Sequence, residues 1–157
     1  MNENLEDAVG EMKRIDHLIF VSLKYSRTVD VVKSVVLRLI SAYDFMILAL
    51  LDYAKEKKMT DESPNVPALR CELLLKHFAD DEVINKNLEF YALMRRVSRA
   101  EYTRREEYRR HVTLIADLDG NSFEVDIDKL NIYFDDTKSF FKYIKELMND
   151  DKRMNDE

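Results

Sequence analysis

Glycine and proline are almost missing from this chain: two of each among 157 residues, with a single cysteine and no tryptophan. So little punctuation argues against many short strands and turns and favours long helices. One cysteine, Cys71, excludes an internal disulfide and a cysteine-built metal site. The longest apolar run, Phe45 to Leu51, is seven residues and lies between Asp44 and Asp52. An ordinary membrane-spanning helix is therefore not expected. The opening "MNENLEDAVGEMKR" lacks the apolar core of a secretory signal. These absences predict a soluble cytoplasmic protein with no membrane partner. The length suits one domain, 1–157, able to bury roughly 68–70% of the surface its unfolded chain exposes.

Positive charge is outnumbered overall, 25 lysines and arginines against 31 acids, for a net −6. That balance argues against binding nucleic acid over the whole surface. The average hides an asymmetry. Between Arg95 and Arg110 stand seven arginines and three glutamates, a local +4, so the remainder of the chain carries −10. No lysine occurs between Lys86 and Lys129. Arginine without lysine points to the planar, bidentate fork that recognises phosphate or carboxylate.

Periodicity predicts a mainly α fold: a helical bundle of about five helices with one β-hairpin near the C-terminus. Leu5, Val9, Met12, Ile19 and Leu23 recur at helical spacing from residue 3 to about 25. Thr28 or Asp30 can cap a second helix running to about Lys57, apolar on most sides and therefore central. "KKMTDESPNVP" reads as the one long loop. Pro67 suits the first turn of a third helix ending near Phe78. Asp80 or Asp81 opens a fourth, expected to carry the whole arginine segment. In "VTLIADLDGNSFEVDID" the period changes to alternation around Asp119-Gly120, a hairpin signal over about 112–127. That turn places Ala116 against Phe123, Leu114 against Val125 and Val112 against Ile127, all on one side. A last helix, about 128–148, buries Leu130, Phe134, Thr137, Phe141, Ile144 and Met148, and the tail after it is expected to fray.

No cofactor or metal is expected. Asp117, Asp119 and Asn121 superficially suggest a calcium loop, but Ser122 stands where such a loop needs glycine. No Glu-x-x-His pair, zinc helix, Walker loop or nucleophile elbow occurs. His17 reads as surface, His77 as a helix-end residue, and Cys71 as a small core residue. Asp44, inside the most apolar helix, either faces water or pairs with a buried arginine.

Continued as a helix, the arginine segment places Arg104, Tyr108 and His111 on the inward face that Leu93, Val97 and Ala100 begin. Arg95, Arg96, Arg99 and Arg110 gather on another face with Tyr102. They form an outer basic strip suited to phosphate contacts and base stacking; Arg105 lies well off to one side, and it and Arg109 are further candidates for nucleic-acid contact. Arg104 either pairs with a carboxylate across the bundle or meets His111 at a phosphate.

Arg104 and His111 are separated by six residues, and Arg105 and His111 by five. That spacing, in "YALMRRVSRAEYTRREEYRRH", resembles the motif of the HEPN superfamily (higher eukaryotes and prokaryotes nucleotide-binding). The resemblance implies a homodimer whose two motifs face a shared cleft. It implies RNA as ligand and, in many members, metal-independent endoribonuclease activity of a toxin or defence type, sometimes with an antitoxin partner. Catalysis would then fall to Arg104, His111 and Tyr108. An RNA 2′-hydroxyl is the nucleophile, a histidine of ordinary pKa near 6.5 can take its proton, and arginine can stabilise the phosphate charge. The other reading is a non-catalytic interaction module whose arginines bind nucleic acid or an acidic partner. His111 is followed by Val112-Thr113 rather than x-Tyr, so a tyrosine-modification switch is not expected.

Overall fold

A computed structural model of the chain describes the backbone of residues 1–155 and the side chains of residues 1–151 and 154. Four helices pack around a fifth, and a three-stranded antiparallel sheet precedes the last. The first helix, α1 (Glu3–His17), continues through a π turn (Leu18–Ser22) and a final helical turn (Leu23–Tyr25). Its buried stripe is Leu5, Ala8, Glu11, Ile15, Ile19 and Leu23, so Val9 and Met12 only flank it. The buried Glu11 is met by Arg14 at 3.1 Å and Arg38 at 3.3 Å.

The central helix is α2 (Val29–Glu56), and Thr28 caps it through the Val31 amide at 3.3 Å. By length and composition α2 could cross a membrane. Fourteen of its 28 residues are nevertheless buried, under α1 and the three later helices, so the protein itself supplies its apolar surroundings. Next come α3 (Pro67–His77), with proline in its first turn, and α4 (Glu82–Arg99), capped by Asp81 through the Ile84 amide at 3.0 Å. Both starts reflect the residues that cap or open helices best.

The strands are β1 (Tyr102–Arg105), β2 (Thr113–Leu118) and β3 (Asn121–Asp126), in the order β1-β2-β3. Asp119 and Gly120 form the hairpin turn with φ of 55° and 88°, the left-handed pair that Asp-Gly accepts readily. Leu114 pairs with Val125 and Ala116 with Phe123, as alternation predicts. Val112, Leu114, Ala116 and Val125 are fully buried against the helices.

The helix α5 (Ile127–Asn155) continues past Met148 through most of the acidic tail. Residues 156 and 157 lie outside the described residues. Leu130, Phe134, Thr137 and Ile144 are buried as expected, but Phe140 rather than Phe141 completes the stripe. Phe140 stacks on Tyr43 of α2 at 5.7 Å, while Phe141 stays half-buried. The Tyr43 ring supplies an aromatic partner on that side of the helix, which draws Phe140 inward.

Candidate nucleic-acid interface

The arginine segment does not continue as a helix. α4 ends at Arg99, Ala100 is extended, and Tyr102–Arg105 becomes the edge strand β1. The alignment of Arg104, Tyr108 and His111 on one inward helical face is therefore corrected. From Glu101 to His111 the chain offers no aliphatic side chain. A helix there would have no apolar stripe to bury, and most helical stability in proteins comes from such packing. The edge of β2 offers backbone partners instead, and Tyr102 and Thr103 suit a strand.

Alternation along β1 separates its two arginines. Arg104 lies opposite Leu114, on the bundle side of the sheet but at its edge. Its guanidinium meets Glu107 at 3.1 Å and Asp30, at the start of α2, at 3.9 Å. Arg105 is on the outer side and pairs with Glu124 of β3. Tyr102 is half-buried, with the Lys33 ammonium 4.6 Å from its ring centre.

Glu107 anchors the loop that leaves β1. One carboxylate oxygen accepts the Val29 amide at 3.2 Å, and the other accepts from Arg104. Glu107 thus serves as an extra cap on α2, where a negative charge also favours the helix dipole. The Tyr108 amide donates to the Arg27 carbonyl at 2.7 Å. Two long-range contacts therefore fasten the loop to the corner between α1 and α2. Within it Glu106 and Tyr108 hold φ of 54° and 68°, a left-handed conformation uncommon for side chains of their kind. Tyr108 is 79% exposed, so no burial of its ring offsets that strain.

The backbone of Tyr108 is fastened to a corner that is itself aromatic and basic. Tyr25 is 81% and Phe20 56% exposed. Phe20, Lys24, Arg27, Arg110 and Asn131 line a shallow groove of about 190 Å³ there. The Arg27 Nε is buried without a hydrogen-bond partner. Arg110 also reaches Asp128 at 3.9 Å, a loose and exposed pair. Arg109 is exposed beside it. His111 is exposed as well, and its carbonyl accepts the Thr113 hydroxyl at 2.7 Å. Arg104 thus lies in a carboxylate cluster on the edge strand, and His111 begins the run into β2.

The remaining arginines stand elsewhere, along α4. Arg95, Arg96 and Arg99 line an open groove between α3 and α4. Arg96 reaches Asp119 of the hairpin turn at 3.2 Å. Arg95 lies over the Tyr91 ring, 5.7 Å from its centre. The Tyr91 hydroxyl donates to Asp44, whose carboxyl burial pushes up, against the Tyr91 hydrogen bond and the nearby Arg95 and Arg70 charges. Asp44 is thus half-buried and held by a tyrosine rather than by an arginine ion pair. Burial pushes up the Cys71 thiol. Among the described residues no group of three or more His, Cys, Asp or Glu is placed to hold a metal ion.

Phe20, Lys24, Tyr25, Arg27 and Glu107 were not among the residues expected at the site. One signal for them was available: from His17 to Val29 the chain has no acid but contains Phe20, Lys24, Tyr25 and Arg27. Comparison with known protein families, with curated proteins and with solved structures finds no match to this chain.

Proposed function

We propose that this protein is a single-stranded nucleic-acid binding module, with RNA its first candidate ligand and the α1–α2 corner its binding surface. The observation that carries this reading is Tyr108: an exposed ring on a strained, doubly fastened loop, beside cations from two distant segments. Exposed aromatics between cations suit single strands, because every base has a face to stack and every nucleotide a phosphate to neutralise. Binding fits better than cutting, since Arg104 is engaged at 3.1 Å by Glu107, the carboxylate that also caps α2, and a scissile phosphate would have to displace it.

The test is fluorescence anisotropy of a labelled oligouridine with increasing salt. Each phosphate contact on a single strand contributes about −0.7 to the slope of log affinity on log salt. Replacing Arg109 and Arg110 together by alanine should flatten the slope by about 1.4. Tyr108→Ala should weaken binding roughly tenfold to a hundredfold. Absence of binding, or affinity indifferent to these variants, would overturn the reading. The same RNA on a gel with EDTA tests the catalytic expectation. Cleavage lost in both Arg104→Ala and His111→Ala would replace a binding module with a ribonuclease.

A further inference from the structure

We infer that the groove between α3 and α4 is a docking site for a second ligand class: an acidic peptide segment with an aliphatic side chain between two carboxylates. The groove encloses about 340 Å³, with Val66, Pro67 and Cys71 on one side and Arg95, Arg96 and Arg99 on the other. Among the described residues neither Arg95 nor Arg99 has a carboxylate within 4.0 Å, and the half-buried Asp44 meets the Arg95 charge only at longer range. That is notable in a chain with 31 acidic residues. The one partner of Arg96, Asp119, is 94% exposed at a turn and easily exchanged for another carboxylate. Arg95 is held ready by its position over the Tyr91 ring, so less freedom is lost when it binds.

Charge complementarity selects an anion, and the other side of the groove selects its kind. Val66, just before α3, is half exposed, and Pro67 and Ala68 continue the aliphatic side of the groove. The nearest aromatic, Tyr91, is 2% exposed and covered by Arg95, so no ring is open for a base to stack on. A nucleic acid would leave this aliphatic surface unused. A peptide side chain such as leucine would cover it. Spacing agrees: Arg95 and Arg99 are one turn apart, a rise of about 6 Å. Alternate side chains of an extended peptide recur at roughly 6.6–6.8 Å. Carboxylates at positions i and i+2 then meet the two guanidinium groups, and the residue between them turns towards Val66 and Pro67.

The experiment is anisotropy of a fluorescein-labelled peptide, Ser-Glu-Leu-Glu-Ser, with Ser-Glu-Ser-Glu-Ser and Ser-Lys-Leu-Lys-Ser as controls. Wild-type protein should bind the first at least tenfold more tightly than either control. Arg99→Glu should weaken binding about tenfold or more, the loss expected when a hydrogen bond to a charged group goes. Arg99 is exposed, so this variant is expected to fold, and its melting curve checks that. Arg95→Ala should act in the same direction. Replacing Arg109 and Arg110 should leave peptide binding unchanged, and oligouridine should not compete. Equal binding of the serine control would reduce the site to nonspecific charge and overturn the inference. Competition by oligouridine would assign the groove to nucleic acid. Peptide binding indifferent to Arg99→Glu, or no peptide binding at all, would also overturn it.

Discussion

Ala100 divides the arginine segment into halves of similar composition and opposite behaviour. Before it, Arg95, Arg96 and Arg99 ride on a helix whose other face is buried through Leu88, Tyr91, Met94 and Val97. After it, Arg104, Arg105 and Arg110 stand on a strand and loop, each beside a carboxylate: Glu107 and Asp30, Glu124, and Asp128. The first half owes its form to the buried apolar stripe of the helix that carries its arginines. The second lacks them and takes its form from the elements it is fastened to. A cluster of arginines in sequence is therefore not one surface in space.

The largest expected effect tests whether the first half really depends on its buried face. Met94 is 1% exposed on α4, and Met94→Ala should cost about 2–5 kcal/mol. Thermal melting reads this directly. If Met94→Ala is no worse than changes after Ala100, the contrast between the halves fails. Glu107→Ala comes next, at about 1 kcal/mol, because it removes a cap from the start of α2 together with the Arg104 contact. Hydrogen exchange at the Val29 amide should quicken, and Glu107→Gln, which keeps an acceptor, should restore most of the protection. Unchanged exchange would mean that the loop is not held by this residue.

Legibility in the sequence divides along the same line. Thr28, Pro67, Asp81 and Asp119-Gly120 act through their own backbone neighbourhood, and each stands where local chemistry predicts. Residues 101–111 mislead because arginine and glutamate favour helices, whereas the outcome is set by the edge of β2 and the start of α2. The missing aliphatic stripe was a legible warning. The partnership of Glu107 with Val29 was not, because it joins residues 78 positions apart. The basic corner had the same obstacle: Tyr25 and Arg27 are ordinary surface residues until the fold brings Tyr108 to them.

A gain of stability should accompany loss of function at Tyr108. A side chain with φ of 68° costs about 1–2 kcal/mol relative to glycine, part of which glycine returns as added freedom when unfolded. Because the ring is exposed, Tyr108→Gly loses little packing. It should raise stability by up to about 1 kcal/mol while weakening oligouridine binding. A variant that is both less stable and equally able to bind would show that the ring serves the fold.

The smallest expected effect concerns the pairs themselves. Arg105 and Glu124 are 52% and 42% exposed, and exposed pairs are typically worth about 0–1 kcal/mol. A double-mutant cycle with Arg105→Ala and Glu124→Ala measures the coupling without counting the other contacts each residue makes. Coupling below about 0.5 kcal/mol, falling further with salt, is expected because solvent and ions screen both partners. Arg105 would then be free to leave Glu124 for a phosphate at little cost, and the second half could widen the corner surface when a strand binds. Coupling well above about 1 kcal/mol would instead make Arg105 a structural residue of the sheet and confine binding to Arg109, Arg110 and the α1–α2 corner.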